Sequence, residues 1–163
     1  MPKTLHDFSA KTIDGKTRSL ADYRGKVVLV VNVASECGLT PQYKGLEALH
    51  DAYAAKGLAV LGFPANEFGA QEPGTDQQIQ TFCQTQYGVK FDMFSKVAVK
   101  GEKTAPLFAW LQGKESNPAF AGPIKWNFNK FLVGKDGKVI ARFEPQVEPL
   151  SAEVKAAIEK ALA

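Results

Sequence analysis

Two cysteines, Cys37 and Cys83, are the residues of this chain best suited to covalent chemistry. A cysteine reacts as its thiolate, a strong nucleophile. Cys37 lies in Ala34-Ser35-Glu36-Cys37-Gly38-Leu39-Thr40, directly after a β-branched apolar run and just before Pro41. Thr40-Pro41 reads as a helix start, with Thr40 at the N-cap and Pro41 at the first helical position. Unpaired N–H groups and the positive end of the helix dipole lie near such a place and favour a charged sulfur. Glu36 opposes this, weakly if it points into water. A free cysteine is often an inert core thiol, but this polar, glycine-containing stretch suits an exposed turn better than a packed strand. Cys37-Gly38-Leu39-Thr40 has no second cysteine at C-x-x-C spacing, which argues against a general dithiol oxidoreductase. Two cysteines and two dispersed histidines, His6 and His50, offer no metal-ligand cluster.

The elements that must position Cys37 follow from periodicity and turn residues. Asp14-Gly15 predicts a hairpin turn near the N-terminus. Residues 26–34 form a run that suits a strand buried on both faces. The helix opened by Thr40-Pro41 should bury Leu46, Leu49 and Tyr53 and end at Gly57. Residues 58–64 read as a second buried strand, and residues 66–74 as a loop. Thr75-Asp76-Gln77-Gln78 has the form of a capping box. The helix it opens carries Ile79, Phe82, Cys83 and Tyr87 on one face. A third helix is expected over residues 104–111. Residues 128–133 and 138–143 flank Lys135-Asp136-Gly137 as a strand hairpin. An Ala-rich amphipathic helix over residues 151–162 closes the chain. Strand-helix-strand units imply a parallel core, and the late hairpin adds antiparallel strands. The fold class is α/β: a mixed sheet with helices on both faces, compatible with a thioredoxin-like fold.

Length and composition set the outer bounds. The chain has 163 residues, which suits one domain over 1–163 and a core that needs no metal or disulfide staple. The net charge is only +3, and Lys and Arg are scattered among Asp and Glu. No basic block points to nucleic acid or anionic lipid. The longest apolar run, residues 27–33, is far short of the ~20 residues that cross a bilayer. The N-terminal stretch has no apolar signal region, so a soluble cytoplasmic protein is expected. In a reducing compartment two cysteines are either core thiols or a redox pair.

Three segments carry a resemblance to a known family. Val31-Asn32-Val33-Ala34-Ser35-Glu36-Cys37-Gly38-Leu39-Thr40 resembles the signature around the active residue of glutathione peroxidases. Gly62-Phe63-Pro64-Ala65-Asn66-Glu67-Phe68-Gly69-Ala70-Gln71-Glu72-Pro73-Gly74 resembles the second signature, and Trp126-Asn127-Phe128-Asn129-Lys130-Phe131-Leu132-Val133 the third. They occur in the family's order, and the likeness covers essentially the whole chain. It implies that Cys37 attacks peroxide and that Gln71, Trp126 and Asn127 complete a catalytic tetrad. Chemistry supplies a reason for each. Attack on an O–O bond moves negative charge from sulfur to a departing oxygen. Gln and Asn amides and the Trp indole N–H are uncharged donors that can stabilise that charge. Alone, each has a blander reading: a loop residue, a large core side chain, a turn residue.

The resemblance also implies the fate of the oxidised sulfur. A sulfenic acid on Cys37 condenses with a nearby thiol. The segment around Cys83, Thr81 to Phe91, resembles the resolving-cysteine segment of the thioredoxin-dependent branch. A Cys37–Cys83 disulfide recycled by thioredoxin is therefore implied, with glutathione as a possible donor and no cofactor. Cys83 falls on an apolar helix face; if that helix is intact and distant, it must unwind locally before the bond can close. Ala65 replaces a cysteine common in relatives, and Glu67 stands where Gln is common. The short stretch 113–125 lacks the insertion of tetrameric relatives, which implies a monomer with an open site for bulky lipid hydroperoxides. The alternative is a redox sensor or relay, in which the disulfide passes to a partner protein.

Overall fold

The protein is described by a computed structural model covering residues 4–163. After a short 3-10 helix (Leu5–Asp7) comes the expected hairpin: β1 (Ser9–Lys11) and β2 (Thr17–Ser19) pair antiparallel as a separate two-stranded sheet. β3 (Val27–Val33) follows, then α1 (Gln42–Tyr53), β4 (Leu58–Pro64) and α2 (Asp76–Tyr87). After them come β5 (Asp92–Met93), α3 (Pro106–Gln112), β6 (Lys130–Val133), β7 (Val139–Phe143) and α4 (Ala152–Leu162). The main sheet has the order β5-β4-β3-β6-β7. β3 pairs parallel with β4, and β4 with β5, while β3–β6 and β6–β7 are antiparallel. This is the thioredoxin-like arrangement expected from the sequence.

β3 explains why the sheet can be central. All its residues are buried, and most are β-branched, which suits a pleated surface packed on both sides. Val28 and Val30 point to one core, with Phe63, Phe94, Leu107 and Leu111. Val27, Leu29, Val31 and Val33 point to the other, with Leu46, Leu49, Ile79, Val154 and Ile158. Thus α3 covers one face, and α1, α2 and α4 cover the other. Among the described residues no helix is long and apolar enough to cross a membrane.

Several boundaries differ from the sequence reading, each for a physical reason. α1 begins at Gln42, one residue later than expected, with Pro41 at the N-cap and no side-chain cap. Thr40 is not the cap; its hydroxyl is committed to the Cys37 turn. α3 begins at Pro106 rather than residue 104, because Thr104 closes a turn onto the Gly101 carbonyl. β6 starts at Lys130, not residue 128, since Phe128 has φ 68° and cannot extend a strand. β5 was not expected; two residues carry too little periodicity to be seen. The capping box at Thr75 is present: its hydroxyl accepts the Gln78 N–H, and the Gln78 side chain accepts the Thr75 N–H.

Leu29 sits within β3 with no exposed surface. Leu29→Ala should lower the unfolding free energy by about 2–5 kcal/mol in urea titration. A loss below about 1 kcal/mol would contradict the assignment of this position to the close-packed core.

Candidate active site

Cys37 is carried by a tight turn between β3 and α1. Its N–H donates to Thr40 Oγ1 at 2.9 Å, and that hydroxyl donates to the Ala34 carbonyl at 2.8 Å. The Thr40 N–H closes the turn onto the Cys37 carbonyl at 3.0 Å. The sulfur accepts the Leu39 N–H at 3.3 Å and the indole N–H of Trp126 at 3.3 Å. These are the donors that approach it, not the first amides of the helix. The Gln42, Tyr43 and Lys44 N–H groups are spent on the Leu39, Thr40 and Pro41 carbonyls. Cys37 is only 6% exposed, so its surroundings are drier than an open turn would give. Glu36 is exposed to solvent.

Trp126 and Asn127 are held by the segment leading into β6. The Asn32 amide donates to the Trp126 carbonyl at 3.1 Å, and the Phe128 N–H donates to the Asn32 carbonyl at 2.6 Å. Asn32, one polar residue in an apolar strand, thus clamps both sides of Asn127. Phe128 takes a left-handed backbone, which costs a non-glycine residue of order 1–3 kcal/mol. Its carbonyl accepts from Lys130 Nζ at 2.6 Å, and the same ammonium reaches the Pro145 carbonyl at 3.3 Å. Lys130 is fully buried, and burial pushes its pKa down to about 8.

Gln71 comes from the loop after β4. Gly69 (φ 70°) and Ala70 (φ 52°) are both left-handed, and they reverse the chain just before it. Gly69 has a second reason to lack a side chain: a Cβ there would stand 3.0 Å from the Trp126 ring and 3.4 Å from the Gln71 side chain. The Gln71 carbonyl accepts the Glu36 N–H at 3.0 Å, which ties this loop to the Cys37 turn. Asn127 Nδ2 donates to Gln71 Oε1 at 3.1 Å and to the Phe68 carbonyl at 3.4 Å. Fixing the oxygen of Gln71 in this way leaves its amide hydrogens free to donate elsewhere. The structure therefore brings Cys37, Trp126, Asn127 and Gln71 together from three separate segments.

Cys83 is not among the partners of the Cys37 sulfur, and both thiols are free. It lies on α2, 1% exposed, within the same core cluster as Cys37. Burial pushes its pKa up to about 11; the nearby Tyr43 hydroxyl opposes this, and the charge of Glu72 adds to it. Glu72 follows Gln71 and is also 1% exposed. Burial pushes its carboxyl up to about 7, against the opposing pull of Ser35 and Lys96.

Several residues of the site escaped the sequence reading. Asn32 had a usable signal, being polar within a buried strand. Thr40 was seen but given the wrong partner. Glu72 had none beyond its neighbour, since a charged residue in a polar loop reads as exposed. On α1, Glu47, His50 and Asp51 bring ligand-capable atoms within 4.8 Å of one another. Two of the three are carboxylates, so the group does not show in the cysteine and histidine pattern.

Comparison with known proteins places this geometry in context. The sequence model described as Glutathione peroxidase matches residues 5–112. The chain is 52% identical over 145 residues to a glutathione peroxidase of Lactococcus lactis, covering 89% of this chain and 92% of that protein. It is 48% identical to the hydroperoxy fatty acid reductase gpx1 of Synechocystis, covering 98% of this chain and 96% of that protein. Among solved structures it is similar to Trgpx in apo form, with 35% identity, a TM-score of 0.78, and coverage of 99% of this chain and 97% of that one. With the three sequence signatures meeting around the Cys37 turn, these matches establish that the chain belongs to the glutathione peroxidase family.

Proposed function

We propose that the protein is a thiol peroxidase that reduces hydrogen peroxide and organic hydroperoxides, with Cys37 as nucleophile. The observation that carries this is the Trp126 indole N–H directed at the Cys37 sulfur at 3.3 Å. The thiolate attacks the terminal peroxide oxygen. An S–O bond forms as the O–O bond breaks, and the departing alkoxide takes a proton to leave as alcohol or water. Sulfur is oxidised by two electrons and retains the oxygen as a sulfenic acid. Trp126, Gln71 and Asn127 act as neutral donors: the first toward sulfur, the Gln71 amide toward the departing oxygen, with Asn127 orienting Gln71. Such preorganised donors stabilise charge without reorganising during the step. The name of the Synechocystis relative supports fatty acid hydroperoxides as substrates.

Cys83 then resolves the sulfenic acid. Its thiol forms the Cys37–Cys83 disulfide, water leaves, and the dithiol of thioredoxin restores both cysteines. A buried thiol on an intact helix must be released first, so α2 opens locally in this step. A reducing cytoplasm keeps both thiols free between cycles. The short 113–125 connection supports a monomer with an accessible site.

Coupled NADPH oxidation tests this reading. With thioredoxin and its reductase the protein should turn over hydroperoxide, and glutathione should be the poorer donor. Cys37→Ser should abolish turnover; unchanged activity in that variant would refute the nucleophile. Trp126→Phe should lower kcat/KM for peroxide by about 100-fold, the cost of one aimed donor. A change within about twofold would show that the indole N–H plays no part in the step.

A further inference from the structure

Glu72 is a buried titratable group that the peroxide step leaves unused. Neither of its carboxyl oxygens has an aligned hydrogen-bond partner, although the residue is 1% exposed. A carboxyl buried in a core with no better partner than Ser35 is costly and calls for a reason. Its backbone is fixed, with the N–H donating to Asn66 Oδ1 at 2.9 Å. The carboxyl faces Ser35, two residues before Cys37, on one side. Its charge also bears on Cys83 of α2 and on Tyr43 of α1. The remaining charged groups facing it are Lys96 and the solvent-exposed Glu36. A cleft of about 310 Å³ opens here, with Ser35, Glu36 and Glu72 on one wall and Gln78, Ile79 and Phe82 of α2 on the other. Glu72 thus stands between the element that carries Cys37 and the helix that carries Cys83.

We propose that Glu72 is the proton carrier of disulfide formation: its carboxylate takes the proton of the Cys83 thiol and hands it to the hydroxide that leaves the Cys37 sulfenic acid. The inference rests on Cys83 as the resolving thiol. The step balances. The Cys83 S–H bond breaks as the S–S bond forms, the S–O bond of Cys37 breaks, and the transferred proton completes a water molecule. The Cys83 sulfur is oxidised, the Cys37 sulfur is reduced by the same amount, and Glu72 ends as it began. The need for a carrier begins with Cys83 in the closed helix, where burial holds it as a neutral thiol, so a base must take its proton as α2 opens. A carboxyl that titrates near neutrality is well matched to both halves of the transfer. Burial and the Glu36 charge raise it, while Ser35 and Lys96 lower it, so the carboxylate form gains population as pH rises through about 7.

The test separates the two chemical steps. Reduced protein is mixed with one equivalent of hydroperoxide and quenched at intervals. Mass spectrometry then follows trapped Cys37 sulfenic acid and the Cys37–Cys83 disulfide. In the wild type, the rate of disulfide closure should rise with pH and level off above about 7. In Glu72→Gln the sulfenic acid should still form, but closure should slow by about 100-fold. Its rate should then climb about tenfold per pH unit without a plateau, as unaided thiolate chemistry does. Glu72→Asp, which keeps a titrating carboxyl, should recover part of the loss. Equal closure rates and pH profiles in wild type and Glu72→Gln would overturn the proposal. If Glu72→Gln fails to fold, a wild-type profile with no plateau overturns it, and a plateau supports it. Absence of any Cys37–Cys83 disulfide in the wild type would instead remove Cys83 as the resolving thiol, and the proposal with it.

Discussion

The contact between the Trp126 indole N–H and the Cys37 sulfur is the constraint around which this molecule is arranged. Sulfur is a weak acceptor when neutral and a much better one when charged. A donor aimed at it therefore gives most in the form that attacks. The second donor, the Leu39 N–H, belongs to the Cys37 turn itself. Trp126 comes from 89 residues further along the chain. The sheet has to bring it back. β6 lies beside β3, so the residues just before β6 meet the residues just after β3.

Holding that geometry costs stability, and the cost is visible in the backbone. Among the described residues, two non-glycine positions, Ala70 and Phe128, have left-handed conformations. Each adjoins a site residue: Ala70 precedes Gln71, and Phe128 follows Asn127. Strain of this kind persists only where the surroundings over-determine it. Here Asn32 grips the Trp126–Phe128 turn from β3, and buried Lys130 binds the Phe128 carbonyl. The two-sided core under β3 supplies the stability against which these costs are set. The peroxide site is thus built rigidly. In the proposed resolving step the second cysteine sits on a helix that gives way, and Glu72 lines the cleft between that helix and the Cys37 segment.

Much of this was legible in the chain. A buried strand, a polar turn with a cysteine and a helix start are written in residues 26–42, and the apolar face of α2 is written around Ile79 and Cys83. What could not be read was the partner of each polar group. Thr40 can cap a helix or tie a turn with the same hydroxyl; tertiary contact with Ala34 selects the turn. Phe128 has every mark of a strand residue, and only the Asn32 and Lys130 bonds make it a corner. Glu72 looks like a solvated loop residue, because burial is a property of the assembled fold. The expectation that unpaired helix amides serve the Cys37 sulfur failed for the same reason. The first amides of α1 find local carbonyls, and the donors at the sulfur come from a turn N–H and a distant indole.

The central claim is that this sulfur, in this setting, breaks the O–O bond. Its most direct test is the rate at which hydroperoxide oxidises Cys37 in Cys83→Ser protein, with the site of oxygen capture located by trapping and peptide mass spectrometry. The account predicts a sulfenic acid confined to Cys37 and formed orders of magnitude faster than on free cysteine. A rate no faster than that of free cysteine, or oxygen captured elsewhere in the chain, would contradict it.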